Sequence, residues 1–388
     1  MEETSTSPLP AAFLDFLKEN DLDPSIYAAT DSTPRYVRLK PGYEADVEEI
    51  EAEIKCKLEK VSWLPGFYSL PPDVQIAGSQ AYKTGKIYGI DAASGAAVTA
   101  LDVSPGNHVL DLCAAPGAKL CMIVDLLDGL GSVTGVDVSQ HRLAACRTML
   151  QKYALGDICR LFVANGATFS LIPVNVTSES RSEDSVDRLK EWTSRKSWKE
   201  RKKAAIAKQN AAAELVQRCQ EPELIFYGLK SGVVGFTKSE IYRSPSESEL
   251  LSYGYDRVLV DAECTHDGSI KHIQKFESWG WTSLQRRVLD AERTDNLTVL
   301  QLRLLTNGFR LLKSGGILVY STCSLTVAQN EDVVEQFLKD NASAELQEIE
   351  AARNWPCKSG RIPKTLRFDP WASQTSGLFV AKFLKLAE

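Results

Sequence analysis

The sequence predicts a doubly wound α/β domain with a mostly parallel sheet, preceded by a small α+β domain. From about residue 101, short apolar runs alternate with amphipathic helical segments, as in "HVLDLC" (108–113) and "SVTGVDVS" (132–139). Continuous apolar runs of this kind are typical of strands that are buried on both faces of a sheet. A length of 388 residues is also long for one hydrophobic core, so we expect two domains.

Further strands are predicted downstream, and their ends mark the expected site. They are "ICRLFVANG" (158–166), "DRVLVDAEC" (256–264), "SGGILVYSTCS" (314–324) and "GLFVAKFL" (377–384). In open sheets of this kind, ligands bind in the crevice outside the carboxyl ends of the strands. We therefore expect the functional residues just after these apolar runs.

Two regions depart from the alternating pattern. Residues 1–85 are predicted to form the small domain, in which "YEADVEEIEAEIKCKL" has the apolar spacing of a one-sided amphipathic helix. The larger domain, residues 86–388, is interrupted at about 171–250 by a polar insertion with a basic centre at 188–208. This centre, which includes Trp192 and Trp198, is either a solvated surface helix or a local face for phosphates and bases.

Composition narrows the class of protein. Hydrophobic residues make up 44% of the chain and charged residues 25%, as in globular proteins, and no run is long and apolar enough to span a membrane. The net charge of −6 gives no whole-molecule attraction to polyanions, so a nucleic-acid surface must be local. Nine cysteines without a CxxC pair and four scattered histidines argue against a disulfide framework and a zinc site. We expect an intracellular protein, cytoplasmic or nuclear and not secreted, that holds no metal.

The loop after the first strand, "DLCAAPGAK" (111–119), opens a helix and offers small residues where backbone amides approach a ligand. It matches neither the dinucleotide G-x-G-x-x-G pattern nor the P-loop pattern. Asp137 ends the second strand, where an acid can accept both hydroxyls of a ribose, and Asn165 ends the third, where an amide can read an adenine edge. Together these residues predict a site for an adenosine-bearing cofactor without a pyrophosphate cradle.

The fourth and fifth strands end in cysteines. Asp261 and Cys264 close the fourth in "DAEC", and Cys323 closes the fifth in "YSTCS". A single cysteine there has an ordinary structural explanation, because free cysteine is commonly a small buried apolar residue. Two thiols at the ligand-binding ends of adjacent strands, beside an acid, instead predict a shared reactive site.

These motifs resemble those of the Fmu/Sun-type (Nop/Sun domain) RNA (cytosine-5)-methyltransferases. The resemblance rests on "DLCAAPGAK", "DAEC", "GGILVYSTCSLTVAQNE" and "SGLFVAKFLK", and it covers roughly residues 30–170 and 250–388. It implies a class I methyltransferase domain that uses S-adenosylmethionine, behind a small N-terminal RNA-binding domain. The implied substrate is a cytosine in RNA, with tRNA favoured over rRNA, and the implied processes are tRNA and rRNA processing.

The resemblance also implies roles for individual residues. Cys323 is the nucleophile that adds to C6 of the cytosine, and Cys264 assists release of the methylated product. Asp261 holds the N3/N4 edge of the base, and Lys119 places positive charge at the floor of the site. The implied cofactor-binding residues are Cys113, Ala114, Ala115, Pro116, Gly117, Ala118, Lys119, Asp137, Arg142, Asn165 and Asp261.

Three departures from the family pattern leave alternatives open. Ala118 stands where the family has Gly, Asn165 where it has Asp, and Glu263 where a Pro precedes the cysteine. Ala118 is tolerable with a negative φ, and Glu263 is expected to loosen the turn and to raise the pKa of Cys264. One alternative is a DNA cytosine-5 enzyme, which uses the fourth-strand cysteine as its nucleophile. Another is a catalytically weak or inactive RNA-binding scaffold of the same fold.

Overall fold

The computed structural model of the chain describes residues 9–27, 33–173, 188–190 and 221–387. Most of the predicted basic centre at 188–208, including Trp192 and Trp198, lies outside the described residues. No helix within these ranges combines the length and the apolar character that crossing a membrane requires.

Strands and helices follow one another along the described part of the chain. The strands are β1 (Arg35–Leu39), β2 (Glu59–Lys60), β3 (Phe67–Leu70), β4 (Ile87–Gly89), β5 (His108–Asp111), β6 (Ser132–Asp137), β7 (Cys159–Val163), β8 (Glu223–Tyr227), β9 (Tyr255–Asp261), β10 (Leu312–Thr322), β11 (Ala344–Gln347), β12 (Lys358–Ser359), β13 (Leu366–Phe368) and β14 (Leu378–Lys385). The helices are α1 (Ala11–Glu19), α2 (Val47–Ile54), α3 (Gln80–Lys83), α4 (Ala92–Ala100), α5 (Ala118–Leu127), α6 (Gln140–Lys152), α7 (Lys238–Ile241), α8 (Glu247–Tyr253), α9 (Ile270–Trp279), α10 (Trp281–Leu284), α11 (Ala291–Leu311), α12 (Glu331–Asp340) and α13 (Pro370–Ser373). Short 3₁₀ segments span Pro24–Tyr27, Glu44–Asp46 and Glu350–Asn354, and a π-helical turn spans Gln285–Leu289.

The larger sheet confirms the predicted doubly wound fold. Its strand order is β12-β13-β14-β10-β9-β5-β6-β7-β8, and β11 pairs with β14. The strands from β10 to β7 are parallel, while β14 and β8 run antiparallel to their neighbours. Alternate residues of β5 face opposite sides, since Val109 packs with α4, α5 and α6, and Leu110 packs with α11 and α12. Both faces are therefore covered by helices, which explains the continuous apolar runs.

The strand β8 lies where the sequence predicts only a polar insertion. It pairs antiparallel with β7 at the edge of the sheet. Of its five residues only Phe226 is buried, because an edge strand has one neighbour and a partly solvated face. A short run with one buried position carries little periodic signal, so the pattern did not reveal it.

The topology opens a crevice between β5 and β9. From β5 the chain moves outward through β6 and β7, whereas β9 and β10 extend the sheet in the other direction. The loops that leave β5 and β9 therefore diverge at the carboxyl ends of the strands, which is where sheets of this type bind ligands.

The smaller sheet has the order β2-β3-β1-β4, and β1 pairs antiparallel with both β3 and β4. Helix α2 contributes Ile50 to its apolar core, as the amphipathic pattern predicts, and Lys55 ends the helix with a φ of 55°. Helix α1 packs elsewhere, since Phe13 and Leu17 join an apolar cluster with residues of α9. The predicted domain boundary at residue 85 stays a prediction, and the strand β4 that follows it belongs to the smaller sheet.

Candidate active site

A cavity of about 350 Å³ opens where the loops after β5, β6, β7, β9 and β10 meet. An adjoining cavity of about 260 Å³ lies along the loop that enters α5. The structure thus brings together the residues predicted from the five strand ends. Those that line one cavity or the other are Cys113, Ala114, Ala115, Pro116, Gly117, Ala118, Lys119, Asp137, Arg142, Asn165, Asp261 and Cys323. Cys264 is buried behind the cavity wall, in contact with Cys323.

The loop between β5 and α5 requires a glycine at one position. Gly117 has a φ of 114°, and a Cβ there would lie 3.0 Å from Cα of Cys146 on α6. Both the backbone conformation and the packing therefore exclude a side chain at Gly117. Ala118 is the first residue of α5 and has right-handed helical backbone, so the condition of a negative φ at this position is met.

Asp137 closes β6 with its carboxylate turned into the protein. It accepts hydrogen bonds from the N–H of Ala115 at 3.3 Å and the N–H of Ser139 at 2.9 Å. Arg142 lies 3.8 Å from this carboxylate and donates to the carbonyl of Ala115 at 2.6 Å, so it braces the loop. A carboxylate has about four acceptor positions, which leaves Asp137 capacity for a ligand.

Asn165 follows β7 and also lines the cavity. Its Oδ1 accepts a hydrogen bond from the N–H of Ala167 at 3.0 Å, and its side chain is exposed. The side-chain amide N–H group therefore remains available as a donor toward the cavity.

Asp111 is a buried acid that the sequence prediction left without a role. It ends β5, borders the adjoining cavity and accepts a hydrogen bond from the N–H of Cys113 at 3.2 Å. Burial, with a further contribution from the charge of Asp261, raises the pKa of Asp111 to about 7. The sequence does contain a signal for Asp111, because it stands at the end of the first predicted strand, just as Asp137 stands at the end of the second.

Lys119 and Asp261 form an ion pair at the floor of the cavity. The Lys119 Nζ lies 2.7 Å from Asp261 Oδ2, and the Ser321 hydroxyl donates to Asp261 Oδ1 at 2.8 Å. Burial alone would lower the pKa of Lys119, but the carboxylate of Asp261 outweighs burial and raises it. Lys119 is therefore a cation whose charge is mostly neutralised by Asp261, which holds the acid in one orientation.

The two predicted thiols lie in contact, and a histidine joins them. The Sγ atoms of Cys264 and Cys323 are 3.2 Å apart. The Nδ1 atom of His266 lies 2.9 Å from Sγ of Cys323 and 3.6 Å from Sγ of Cys264. His266 was missed in the sequence, although it follows Cys264 by two residues in "DAECTHDG". Its left-handed backbone, with a φ of 59°, turns the ring back over the thiols.

Electrostatics couple these three groups. The negative charge of Cys264 raises the pKa of His266 to about 9, against the opposing effect of burial. Burial opposes ionisation of Cys264, but the hydrogen bond from Cys323 and the charge of His266 outweigh it and lower the pKa of Cys264. Because Cys323 donates its S–H proton to Cys264, and because it is buried, the pKa of Cys323 is raised. We call Cys264, His266 and Cys323 the trio. At rest, it consists of an imidazolium, one thiolate and one thiol.

The expected effect of Glu263 on the thiol has the wrong sign, because the pKa of Cys264 is lowered rather than raised. The Glu263 side chain is exposed and pairs with Arg293 at 2.9 Å. That Glu263 loosens the turn stays a prediction, and two hydrogen bonds tie the turn in this structure: Gln301 donates to the carbonyl of Glu263 at 2.8 Å, and Gln329 accepts from the N–H of Thr265 at 3.1 Å. Buried side-chain amides thus replace the rigidity that proline supplies in the family pattern.

Asp267 ties the same turn to the loop after β10 and to the N-terminal segment. Its carboxylate accepts from the N–H of Leu325 at 2.7 Å and from the hydroxyl of Thr265, and its carbonyl accepts from the Tyr27 hydroxyl at 2.7 Å. The position of His266 is therefore set by both of its neighbours in the chain.

The contacts within the trio are those of hydrogen bonds. The ligand atoms of Cys264, His266 and Cys323 lie within 4.8 Å of one another. A tetrahedral zinc ion with Zn–S bonds of about 2.3 Å would hold two sulfurs roughly 3.8 Å apart. The observed 3.2 Å between the sulfurs is shorter, so the atoms touch each other directly. That the protein holds no metal stays a prediction.

Comparison with known proteins gives the family. The family model described as 16S rRNA methyltransferase RsmB/F matches residues 98–169 and 235–384, more than half of the chain. The tRNA (cytosine(49)-C(5))-methyltransferase of Pyrococcus abyssi is 23% identical over 368 residues, covering 90% of this chain and 89% of the relative. The rRNA (cytosine-C(5))-methyltransferase NOP2C of Arabidopsis thaliana is 26% identical, covering 73% of this chain but 51% of that longer relative.

Solved structures agree on the fold. A methyltransferase homologue from Pyrococcus horikoshii has a TM-score of 0.59 at 22% identity and covers 97% of this chain and 100% of that one. NSun6 from Pyrococcus horikoshii, solved with the S-adenosylmethionine analogue SFG, has a TM-score of 0.62 at 15% identity, covering 98% and 99% of the two chains. The family model matches more than half of the chain, including the residues on both sides of the cavity. The chain therefore belongs to the RsmB/F family of S-adenosylmethionine-dependent RNA (cytosine-5)-methyltransferases.

Proposed function

We propose that this protein methylates C5 of a cytosine in RNA through a covalent adduct between Cys323 and C6 of the base. The observation that carries the proposal is the placement of the two thiols. Cys323 lines the cavity, whereas Cys264 is 1% exposed and lies behind it. A base in the cavity would therefore meet Cys323 first, which favours the RNA-type arrangement over the DNA-type use of the fourth-strand cysteine.

The chemistry explains why a thiolate and an acid share one cavity. C5 of cytosine is a poor nucleophile until a thiolate adds to C6 and turns the ring into an enamine. The cofactor supplies an electrophilic methyl group. When the C5 proton is then lost, its electron pair restores the C5=C6 bond, and the C6–S bond breaks with its electrons returning to sulfur.

Asp261 and Lys119 would handle the polar edge of the ring. The Asp261 carboxylate faces the same cavity as Cys323 and is fixed by Lys119 and Ser321. Held in this way, the carboxylate can accept a hydrogen bond from the N4 amine, and the paired Lys119 ammonium would supply the positive charge that stabilises N3 as electron density builds up during addition. A base that reacts here must first leave any stacked helix.

The chemistry of the lining residues fits S-adenosylmethionine. Asp137 and Asp261 place carboxylates around a loop of small residues, and Asp111 adds a buried acid beside them. The sulfonium and ammonium groups of S-adenosylmethionine are positively charged and suit such a site. Asp137 retains acceptor capacity for ribose hydroxyls, and Asn165 retains a donor for a base edge. We assign the loop Cys113–Lys119, Arg142 and these side chains to cofactor binding.

We further propose tRNA as the favoured substrate. The Pyrococcus abyssi relative, named for tRNA, aligns over nearly the full length of both chains, which the rRNA-named Arabidopsis relative does not. The smaller sheet domain is the candidate for additional RNA contacts, as the family resemblance implies.

Methyl transfer to defined RNAs tests this function. Purified protein with S-adenosylmethionine should form 5-methylcytosine in a tRNA transcript, read by mass spectrometry of the nucleosides, and less in rRNA fragments. Cys323→Ser should reduce turnover by at least about 1,000-fold, because a hydroxyl is far less ionised than a thiol. The matched control Cys56→Ser, in the smaller domain, should keep normal turnover. RNA that binds without methylation by the wild-type protein would instead indicate the scaffold alternative.

A further inference from the structure

The addition and methyl-transfer steps described above leave His266 without a role, yet its Nδ1 lies 2.9 Å from Sγ of Cys323, closer than the 3.2 Å between the two sulfurs. We propose that His266 is a catalytic residue that holds, on Nδ1, the proton lost by the thiol pair, and so keeps one sulfur ionised for attack by Cys323. The inference rests on the proposed function for the identity of the nucleophile. It goes beyond that function by assigning the proton acceptor.

The geometry supports a direct proton contact. His266 Nδ1 lies 2.9 Å from Sγ of Cys323, a hydrogen-bond distance, and 3.6 Å from Sγ of Cys264. The same ring nitrogen therefore lies close enough to exchange a proton with either sulfur. Lys119, a second cation of the cavity, is already paired with Asp261 at 2.7 Å. Of these two cations, His266 is the one that faces the thiols.

The proton inventory of the trio follows from these contacts. One S–H bond breaks, its electron pair stays on sulfur and the proton moves to Nδ1 of His266. The second thiol proton lies between the two sulfurs, which are 3.2 Å apart. When this proton sits on Cys264, Cys323 is the thiolate and stays paired with the imidazolium.

This inventory also explains how Cys264 assists release. As Cys323 adds to C6, Cys264 keeps the shared proton. When the C6–S bond breaks, the electron pair returns to Cys323, and Cys264 gives the proton back along the same contact. The proton removed from C5 leaves separately, so the trio ends each cycle with the protons it started with.

The surroundings of His266 favour its charged form. The pKa of His266 is raised to about 9 by the negative charges of Cys264, Asp261 and Glu263, against the opposing effect of burial. His272 packs edge-to-face on His266 at 5.3 Å, and burial together with the charge of His266 lowers the pKa of His272 to about 4. His272 is therefore neutral near pH 7 and does not compete for the negative charge. The titratable groups facing the trio are Cys264, Cys323, Asp261, Glu263, Asp267, Lys119 and His272.

Thiol ionisation can be measured without RNA or cofactor. In the full chain, iodoacetamide labelling of Cys323 is followed by peptide mass spectrometry from pH 5 to 10. The wild-type rate should already be near its plateau at pH 7, because the thiol pair has then lost one proton to His266 and the sulfurs share the other. The pair therefore loses its first proton below the unperturbed thiol pKa of about 8.5, although Cys264 holds most of the negative charge. His266→Asn removes the titratable ring but keeps a side chain that tolerates positive φ. It should shift the profile upward and lower the labelling rate at pH 7 by at least about tenfold.

A matched histidine variant and the pH profile of activity complete the test. His141→Asn, on the exposed face of α6, should leave labelling unchanged. The turnover of His266→Asn should recover between pH 7 and 9, as the thiols ionise unaided, whereas a merely structural role would give no such recovery. An unshifted labelling profile, or stoichiometric zinc in the purified protein, would overturn the proposal. Since labelling requires no methyl transfer, its outcome is separate from that of the Cys323→Ser assay.

Discussion

The two sides of the cavity are built in different ways. The cofactor side comprises the loop Cys113–Lys119, Asp111, Asp137, Arg142 and Asn165, and it depends on backbone amides and on single polar side chains at strand ends. The thiol side comprises Asp261, Cys264, His266 and Cys323, and it depends on side chains that touch one another and share protons. The first side resembles a binding surface, and the second resembles reaction machinery.

This contrast has an energetic consequence. Contacts on the cofactor side are present before and during the reaction, so losing one should weaken binding more than it slows chemistry. Contacts on the thiol side change protonation as the reaction proceeds, so losing one should act on turnover. Substitutions on each side, and at the buried acid between them, test this division from the largest expected effect to the smallest.

After the loss of the nucleophile in Cys323→Ser, the largest effect is expected for Cys264→Ala on the thiol side. Addition and methyl transfer should continue, but release should slow because the leaving sulfur has lost its proton donor. Turnover should fall by at least about tenfold, and a protein–RNA adduct should accumulate that survives denaturing gel electrophoresis. The double variant Cys264→Ala/Cys323→Ser should show no adduct. If Cys323→Ser stayed active while Cys264→Ala were inactive and free of adduct, the two roles would be exchanged.

Asp137→Ala should separate the cofactor side from the thiol side. The apparent KM for S-adenosylmethionine should rise by about tenfold, while kcat at saturating cofactor stays within about threefold of wild type. Initial rates measured against cofactor concentration at fixed RNA report both constants. Asp295→Ala, on the exposed face of α11, is the matched control and should change neither. A loss of kcat with unchanged KM would contradict a binding role for Asp137.

The smallest effect concerns stability and the buried Asp111. Its pKa of about 7 in the folded protein lies above the ordinary value of 3.8, so the folded state binds the proton more tightly. The stability it contributes is complete below pH 3.8 and is lost as the pH rises to about 7. Asp111→Asn should remove this dependence. Between pH 5 and 8, the free energy of unfolding should fall by about 3 kcal/mol less in the variant than in wild type.

Thermal unfolding at several pH values without ligand checks the Asp111 prediction. Asp295→Ala again serves as the control, because its exposed carboxylate should leave the pH dependence of Tm unchanged. Identical pH dependence in wild type and Asp111→Asn would mean that Asp111 is ionised throughout this range.

Much of the site was predictable because the carboxyl ends of parallel strands meet at one edge of a sheet. This rule alone placed Asp137, Asp261, Cys264 and Cys323 together, although the two thiols are 59 residues apart in the chain. The register confirms the reason, since Asp261 on β9 is the direct partner of Ser321 on β10. The family motifs added the methyltransferase assignment, which the family model then confirmed.

Other features required the tertiary structure. The sequence shows Glu263 beside Cys264 but not that Arg293 draws its side chain outward, nor that Gln301 and Gln329 fix the turn. These partners come from α11 and from the loop after β10, so no local pattern reveals them. The consequence for the Cys264 pKa was therefore predicted with the wrong sign.

The sequence by itself determined the fold class, the family and the five strand ends that carry the site, because burial patterns and strand-end motifs are local properties of the chain. Only the tertiary structure decided which groups exchange protons. His266 has to adopt a φ of 59°, and β9 and β10 have to lie side by side, before one ring nitrogen can reach both sulfurs. The charge state of the trio depends on contacts of 2.9 and 3.2 Å between atoms from different strand ends, and distances of that kind arise only when the sheet is assembled.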